Sequence, residues 1–159
     1  MLGKNDPASN KVTWKKTVKG KLKGTGEWMY QYSNSHNTAS SGDELVSGRL
    51  GILWFGEPGP DGMVEIHAKP ASPLAKDGRL FVQGEEIIFA CDAFNGTSLW
   101  KRELPGEFRI RADVDSSNIA VNEYGLYVAA YDKCHVLDPA TGNDLHVFNL
   151  PVSADGSKR

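Results

Sequence analysis

The chain has little cysteine: Cys91 and Cys134 are the only two in 159 residues, and neither stands in a Cys-x-x-Cys pair of the kind that binds zinc or cycles redox. They read as two ordinary buried thiols. Long apolar runs are missing too. Stretches such as 87–91 and 126–131 fall far short of the roughly 20 residues a helix needs to cross a bilayer, which excludes a transmembrane helix. Charge of one sign is not in excess, with 18 Lys plus Arg against 20 Asp plus Glu and a net charge of −2. That balance gives no global attraction to nucleic acid or to an anionic membrane, both of which need a strong basic surplus. The four histidines, His36, His67, His135 and His146, are scattered without metal-ligand spacing. No Gly-x-Ser-x-Gly elbow, phosphate loop or dinucleotide fingerprint occurs. Met1-Leu2-Gly3-Lys4-Asn5-Asp6-Pro7 offers no apolar core of a secretory signal, so as written the chain reads as cytoplasmic or as an internal piece of a longer protein.

What is present can bury a core: 40% of residues are hydrophobic and 9% aromatic. Residues 1–27 are polar, with Lys11, Lys15, Lys16, Lys19, Lys21 and Lys23 among Thr, Val and Gly, and read as a Lys-rich arm or linker. Residues 28–49 carry Trp28, Tyr30 and Tyr32 among Ser, Asn and Thr, which suits an entry segment pinned by rings better than a helix. From residue 50 to 151 short apolar runs are punctuated by Gly, Pro, Asn and Asp, the pattern of an all-β domain, and residues 152–159 form a tail. The strands expected are 72–75, 79–83, 86–92 and 98–103, then 118–121, 126–130, 134–137 and 144–148. No helix is expected.

These two sets of four align without a gap at one offset. Asp138 lies 46 residues after Asp92, and the same separation relates Gly96 to Gly142, Leu99 to Leu145, Leu80 to Leu126 and Leu104-Pro105 to Leu150-Pro151. Asn95-Gly96 and Thr141-Gly142 fall at matching tight turns, where glycine supplies the positive φ that a side chain resists. A weaker third copy lies upstream, where Leu53-Trp54 precedes Leu99-Trp100 by 46 residues; only its last strand is recognisable. A four-stranded unit of this length fits a β-propeller blade, typically about 40 to 50 residues.

The segment Ala90-Cys91-Asp92-Ala93-Phe94-Asn95-Gly96-Thr97-Ser98-Leu99-Trp100 resembles the tryptophan-docking motif of quinoprotein (PQQ-like) β-propellers, Ala-x-Asp-x-x-Thr-Gly-x-x-x-Trp, with Asn95 in place of Thr. The second copy keeps Asp138, Thr141 and Gly142 but has Val136 for Ala and His146 for Trp. The resemblance implies two full blades plus a partial one of an incomplete propeller. In it, each Trp stacks on the neighbouring blade near the turn glycine and each Asp ties its turn to the backbone. It also implies relatives that are often periplasmic. The residues so singled out, Ala90, Asp92, Gly96, Trp100, Asp138, Thr141, Gly142 and Trp54, are structural; Asp92 and Asp138 belong to equivalent turns of different blades and not to a carboxylate pair.

No catalytic, cofactor-binding or metal residue is assigned. Quinoprotein dehydrogenases hold pyrroloquinoline quinone (PQQ) in a central funnel with calcium on Glu, Asn and Asp, an Arg, a stacking Trp and often two adjacent cysteines. Here no such set aligns and the cysteines are apart, so PQQ and calcium belong only to the alternative reading. Arg109, Arg111, Asp113 and Asp115 alternate between the blades and read as a solvated loop, with a funnel-mouth site for a polar ligand as the other possibility. The expected function is a non-catalytic binding or scaffold module, similar in class to the BamB-type outer-membrane assembly propellers; the alternative is a fragment or accessory propeller of a quinoprotein dehydrogenase. Its expected partners are a protein or further blades, including self-association. Propellers usually need at least about four blades, so an open arc is expected to leave blade faces uncovered, including the sides onto which Trp54 and Trp100 dock.

Overall fold

The computed structural model describes residues 2–5, 12–15, 21–55, 62–64, 70–107 and 117–151. Ten β-strands and no helix occur among the described residues. β1 (Leu2–Asn5) and β2 (Val12–Lys15) form an antiparallel ribbon inside the Lys-rich arm, where no strand is expected from the sequence. The other eight form two antiparallel sheets in meander order. β3 (Leu74–Lys76), β4 (Arg79–Gln83), β5 (Ile87–Asp92) and β6 (Ser98–Glu103) make the first blade. β7 (Ile119–Val121), β8 (Leu126–Ala130), β9 (Lys133–Leu137) and β10 (Asp144–Asn149) make the second.

Side-chain alternation decides how the blades pack. Leu80 and Val82 point to one face of β4 while Phe81 points to the other, and on β5 Phe89 opposes Ile88 and Ala90. The face bearing Phe81, Ile88 and Ala90 meets the face of the second blade bearing Leu126, Val128, Ala130 and Leu137, forming one inter-blade core with Leu74, Ile119 and Val121. The opposite face of the first blade collects Leu80, Val82, Ile87 and Phe89 in a second, smaller cluster. Stacking blade on blade is what buries the facing apolar sides of the two sheets.

The repeat governs backbone detail as well. On β6 the pairing passes from Cys91–Ser98 to Ala90–Trp100, bulging out Leu99; on β10 it passes from Leu137–Asp144 to Val136–His146, bulging out Leu145. After the fourth strand, the amide of Leu104 donates to the Glu86 carbonyl (2.9 Å), and that of Leu150 to the Asp132 carbonyl (2.7 Å). The first hairpin of each blade differs: β3 and β4 are joined by Asp77-Gly78, both at positive φ (49° and 75°), whereas the β7–β8 turn is closed by the Asn122 carboxamide accepting from the Tyr124 and Gly125 amides.

The entry segment binds the inner ends of both blades. Trp28 exchanges backbone hydrogen bonds with Ala75 of β3 (2.8 and 2.7 Å), the Met29 carbonyl accepts from Val121 of β7 (3.0 Å), and both side chains pack on the inter-blade core. Residues 50–55, where the last strand of a partial third blade is expected, pair with no strand among the described residues; Leu50, Ile52, Leu53 and Phe55 are all exposed. A fourth strand without its third has no ladder to join.

Candidate functional site

Each tight turn between third and fourth strands is built the same way. The Asp92 carboxylate accepts from the amides of Phe94 (2.9 Å) and Asn95 (3.1 Å), and the Asp138 carboxylate from that of Ala140 (2.6 Å). The amides of Gly96 and Gly142 donate to the carbonyls of Asp92 (2.9 Å) and Asp138 (2.8 Å). Asn95 replaces threonine without changing the chemistry, since its Oδ1 accepts from the Thr97 amide (2.9 Å) as Thr141 Oγ1 accepts from that of Asn143 (3.4 Å). Both glycines sit in the left-handed region, φ 71° and 74°.

Those glycines are where the tryptophans land. A Cβ on Gly96 would stand 2.5 Å from Cε3 of Trp54, and one on Gly142 would stand 2.7 Å from Cε3 of Trp100. Hydrogen atoms alone let the indole lie flat on the turn. The indole N–H of Trp54 donates to the Ala93 carbonyl (3.0 Å) and that of Trp100 to the Pro139 carbonyl (3.0 Å), two acceptors again 46 residues apart. Trp100 also lies beside Phe81, with ring centroids 6.1 Å apart. The sides on which Trp54 and Trp100 dock are therefore covered within the chain, contrary to the expectation for an open arc; the uncovered side is the next one. His146, in the docking position of the second blade, is exposed and stacks on Phe148 of its own strand.

Two polar groupings at the junction carry no repeat signal. Arg102 reaches from β6 to the second blade, donating to the Gly142 carbonyl (2.8 Å) and pairing with Asp144 (2.5 Å), whose other oxygen meets Nδ1 of His135 (3.0 Å). Burial raises the Asp144 pKa, but the hydrogen bonds and charges of Arg102 and His135 outweigh it and leave the carboxyl below its usual range. Deeper in, Glu107 is fully buried, its Oε1 accepting from Gln83 (2.5 Å) and Asn118 (2.8 Å). Burial pushes its pKa up to about 7, against the lowering effect of those two hydrogen bonds. Glu107 Oε2 and Asn118 Oδ1 are buried without a partner among the described residues.

Elsewhere, Cys91 and Cys134 are both free, the first buried and the second half-buried, and burial raises both thiol pKa values. Lys21, Thr25, Glu27, Ser33, Asn34 and Ser41 are among the residues around an open polar cleft of about 460 Å³ beside the entry segment. His36 is exposed on that segment. Arg109, Arg111, Asp113, Asp115 and His67 lie outside the described residues. No group of three or more His, Cys, Asp or Glu side chains that could hold a metal occurs among the described residues, nor any helix long and apolar enough to cross a membrane.

No family model and no curated protein matches the sequence. Solved structures similar to the chain include the quinohemoprotein alcohol dehydrogenase ADHIIG from Pseudomonas putida HK5, with TM-score 0.58 and 19% identity over 81% of this chain and 20% of that one. Another is the quinohemoprotein alcohol dehydrogenase from Comamonas testosteroni, with TM-score 0.49 and 16% identity over 78% of this chain and 19% of that one. The first likeness establishes the fold as that of quinoprotein propeller blades. The chain spans 20% of the length of that enzyme.

Proposed function

We propose that the chain is a non-catalytic module that supplies two quinoprotein-type blades and their docking elements to a larger propeller, acting by binding protein and not by chemistry of its own. The observation that carries this is the pair of superposable docking sites, Trp54 on Gly96 and Trp100 on Gly142, each with its indole N–H on the carbonyl three residues before the glycine. These tryptophans and the bare glycines beneath them join one blade to the next. In this respect the module is comparable to scaffold propellers of the BamB type.

A second reading, a segment of a quinone-dependent alcohol dehydrogenase, is favoured by the names of the similar structures. The buried node of Glu107 and Asn118 tests it. Two unpartnered oxygens are present there, whereas calcium takes about six to eight oxygen ligands, so the described residues do not by themselves fit the ion. Incubation with pyrroloquinoline quinone and calcium, followed by absorbance and alcohol-oxidation measurements, separates the two readings. The module reading expects neither a complex nor turnover; a calcium-dependent complex of micromolar affinity that oxidises alcohol would establish the other.

A further inference from the structure

The 46-residue offset maps each face of one blade onto the other. The face of the first blade that the second blade covers carries Phe81, Ile88 and Trp100; on the second blade the equivalent positions are Tyr127, Cys134 and His146. In the first blade Phe81 and Ile88 are 0% and 1% exposed. In the second blade Tyr127 and Cys134 are half-buried, His146 is exposed, and Phe148 beside it is 53% exposed. The inter-blade surface is thus made twice and filled once.

We propose that this open face of the second blade is a docking surface for a further four-stranded blade carrying a left-handed glycine turn, and not for a second copy of this chain. The inference rests on the module reading above and names the partner it implies. What the partner must offer follows from the two filled junctions: an indole in the docking position lies on a glycine that has no Cβ to block it, and finds a backbone carbonyl three residues earlier. His146 keeps a flat ring and an N–H in that position, with a smaller area than indole. A second copy has no free docking turn between the third and fourth strands of either blade. Its Gly96 is already covered by its own Trp54 and its Gly142 by its own Trp100, and the face beneath the first turn is closed over Val82, Ile87 and Phe89, which are 8%, 7% and 4% exposed.

The repeat also dictates the experiment. Residue 152 stands 46 residues after Gly106, so appending a copy of residues 106–151 after Pro151 of the full chain places the glycine of the appended turn where His146 should meet it. With the cysteine of the appended copy changed to serine, alkylation of Cys134 reads whether the face is covered. The proposal expects Cys134 to react at least tenfold more slowly in the extended chain than in the native one, and slower still with His146→Trp. In the native chain the rate should not depend on protein concentration. Equal Cys134 reactivity in the native, extended and extended His146→Trp chains would overturn the proposal, whether or not the appended residues fold. Concentration-dependent protection of the native chain with a matching dimer in sedimentation would overturn the choice of occupant. Neither failure touches the Trp100–Gly142 junction, which the native chain tests independently.

Discussion

Gly142→Ala should destabilise the chain because of a ring that lies 42 residues away in sequence, and the size of the effect can be worked from the junction. Two costs add. Alanine at φ 74° pays about 1 kcal/mol for the left-handed backbone. Its Cβ, 2.7 Å from Cε3 of Trp100, must displace an indole held by Phe81 and by the Pro139 carbonyl, an overpacking cost of about 1–3 kcal/mol. Gly48→Ala supplies the control, since Gly48 has φ 80° and no atom within 4 Å of its would-be Cβ. It bears the backbone cost alone, reduced by the smaller unfolded-state entropy that both alanines share. Urea unfolding followed by circular dichroism should therefore place Gly142→Ala about 1–3 kcal/mol below Gly48→Ala. In a Trp100→Ala background the extra cost should vanish, giving a coupling energy of the same size. If Gly142→Ala costs the same with and without the indole, the ring does not sit on the turn and the reasoning fails.

Trp100→Ala alone should cost about 3 kcal/mol, from half-burial of a large ring and one hydrogen bond, whereas His146→Ala at the equivalent exposed position should stay within about 0.5 kcal/mol in urea titrations. Glu107 has its folded pKa raised to about 7 from 4.5, so it binds a proton in the folded state that the unfolded chain has released. Stability should fall between about pH 4.5 and 7, by on the order of 3 kcal/mol at most, and Glu107→Gln should remove that fall in a pH series of unfolding midpoints. Asp144 runs the other way: its folded pKa is depressed below 3.8, so its contribution is present above that value and lost as pH falls through the lower folded one. Because the carboxylate is 36% exposed, Asp144→Asn should cost well under about 1 kcal/mol at neutral pH and flatten the acid limb. Thiol titration should find two free thiols in the unreduced, unfolded protein, and in the folded protein Cys134 should react before Cys91.

The blades were legible because their strands obey two local rules at once, apolar alternation and a glycine turn, and both recur at a fixed spacing. Expected and observed strands agree within two residues, the largest difference being 72–75 against Leu74–Lys76. The ribbon of Leu2–Asn5 and Val12–Lys15 was missed because its one short alternating run, Val12 and Trp14 against Thr13 and Lys15, has neither a glycine turn nor a copy at the repeat spacing. Residues 50–55 carried the pattern of a fourth strand, but a pattern cannot supply the third strand it needs. The junction polar groups escaped for a different reason. Arg102, His135 and Asp144 have Phe148, Phe89 and Ser98 at their repeat equivalents, so nothing periodic marks them. Glu107 comes from just beyond β6, Gln83 from β4 and Asn118 from just before β7, joined only once the blades face each other. By contrast, the separation of Cys91 from Cys134 was legible: Cys134 maps onto Ile88, three residues from Cys91, which puts the two thiols on opposite faces of their blades.

One docking geometry, indole on a bare glycine turn, is made twice in this chain. Proton NMR of the intact protein reads this geometry through the Hα resonances of Gly96 and Gly142. A glycine beneath an indole face is shifted upfield by the ring current and shows nuclear Overhauser contacts to its protons. Both glycines should show this, Gly96 to Trp54 and Gly142 to Trp100, and each shift should disappear only when its own tryptophan is replaced by alanine. Unshifted Hα resonances at both positions in the folded protein would mean that neither indole lies on its glycine.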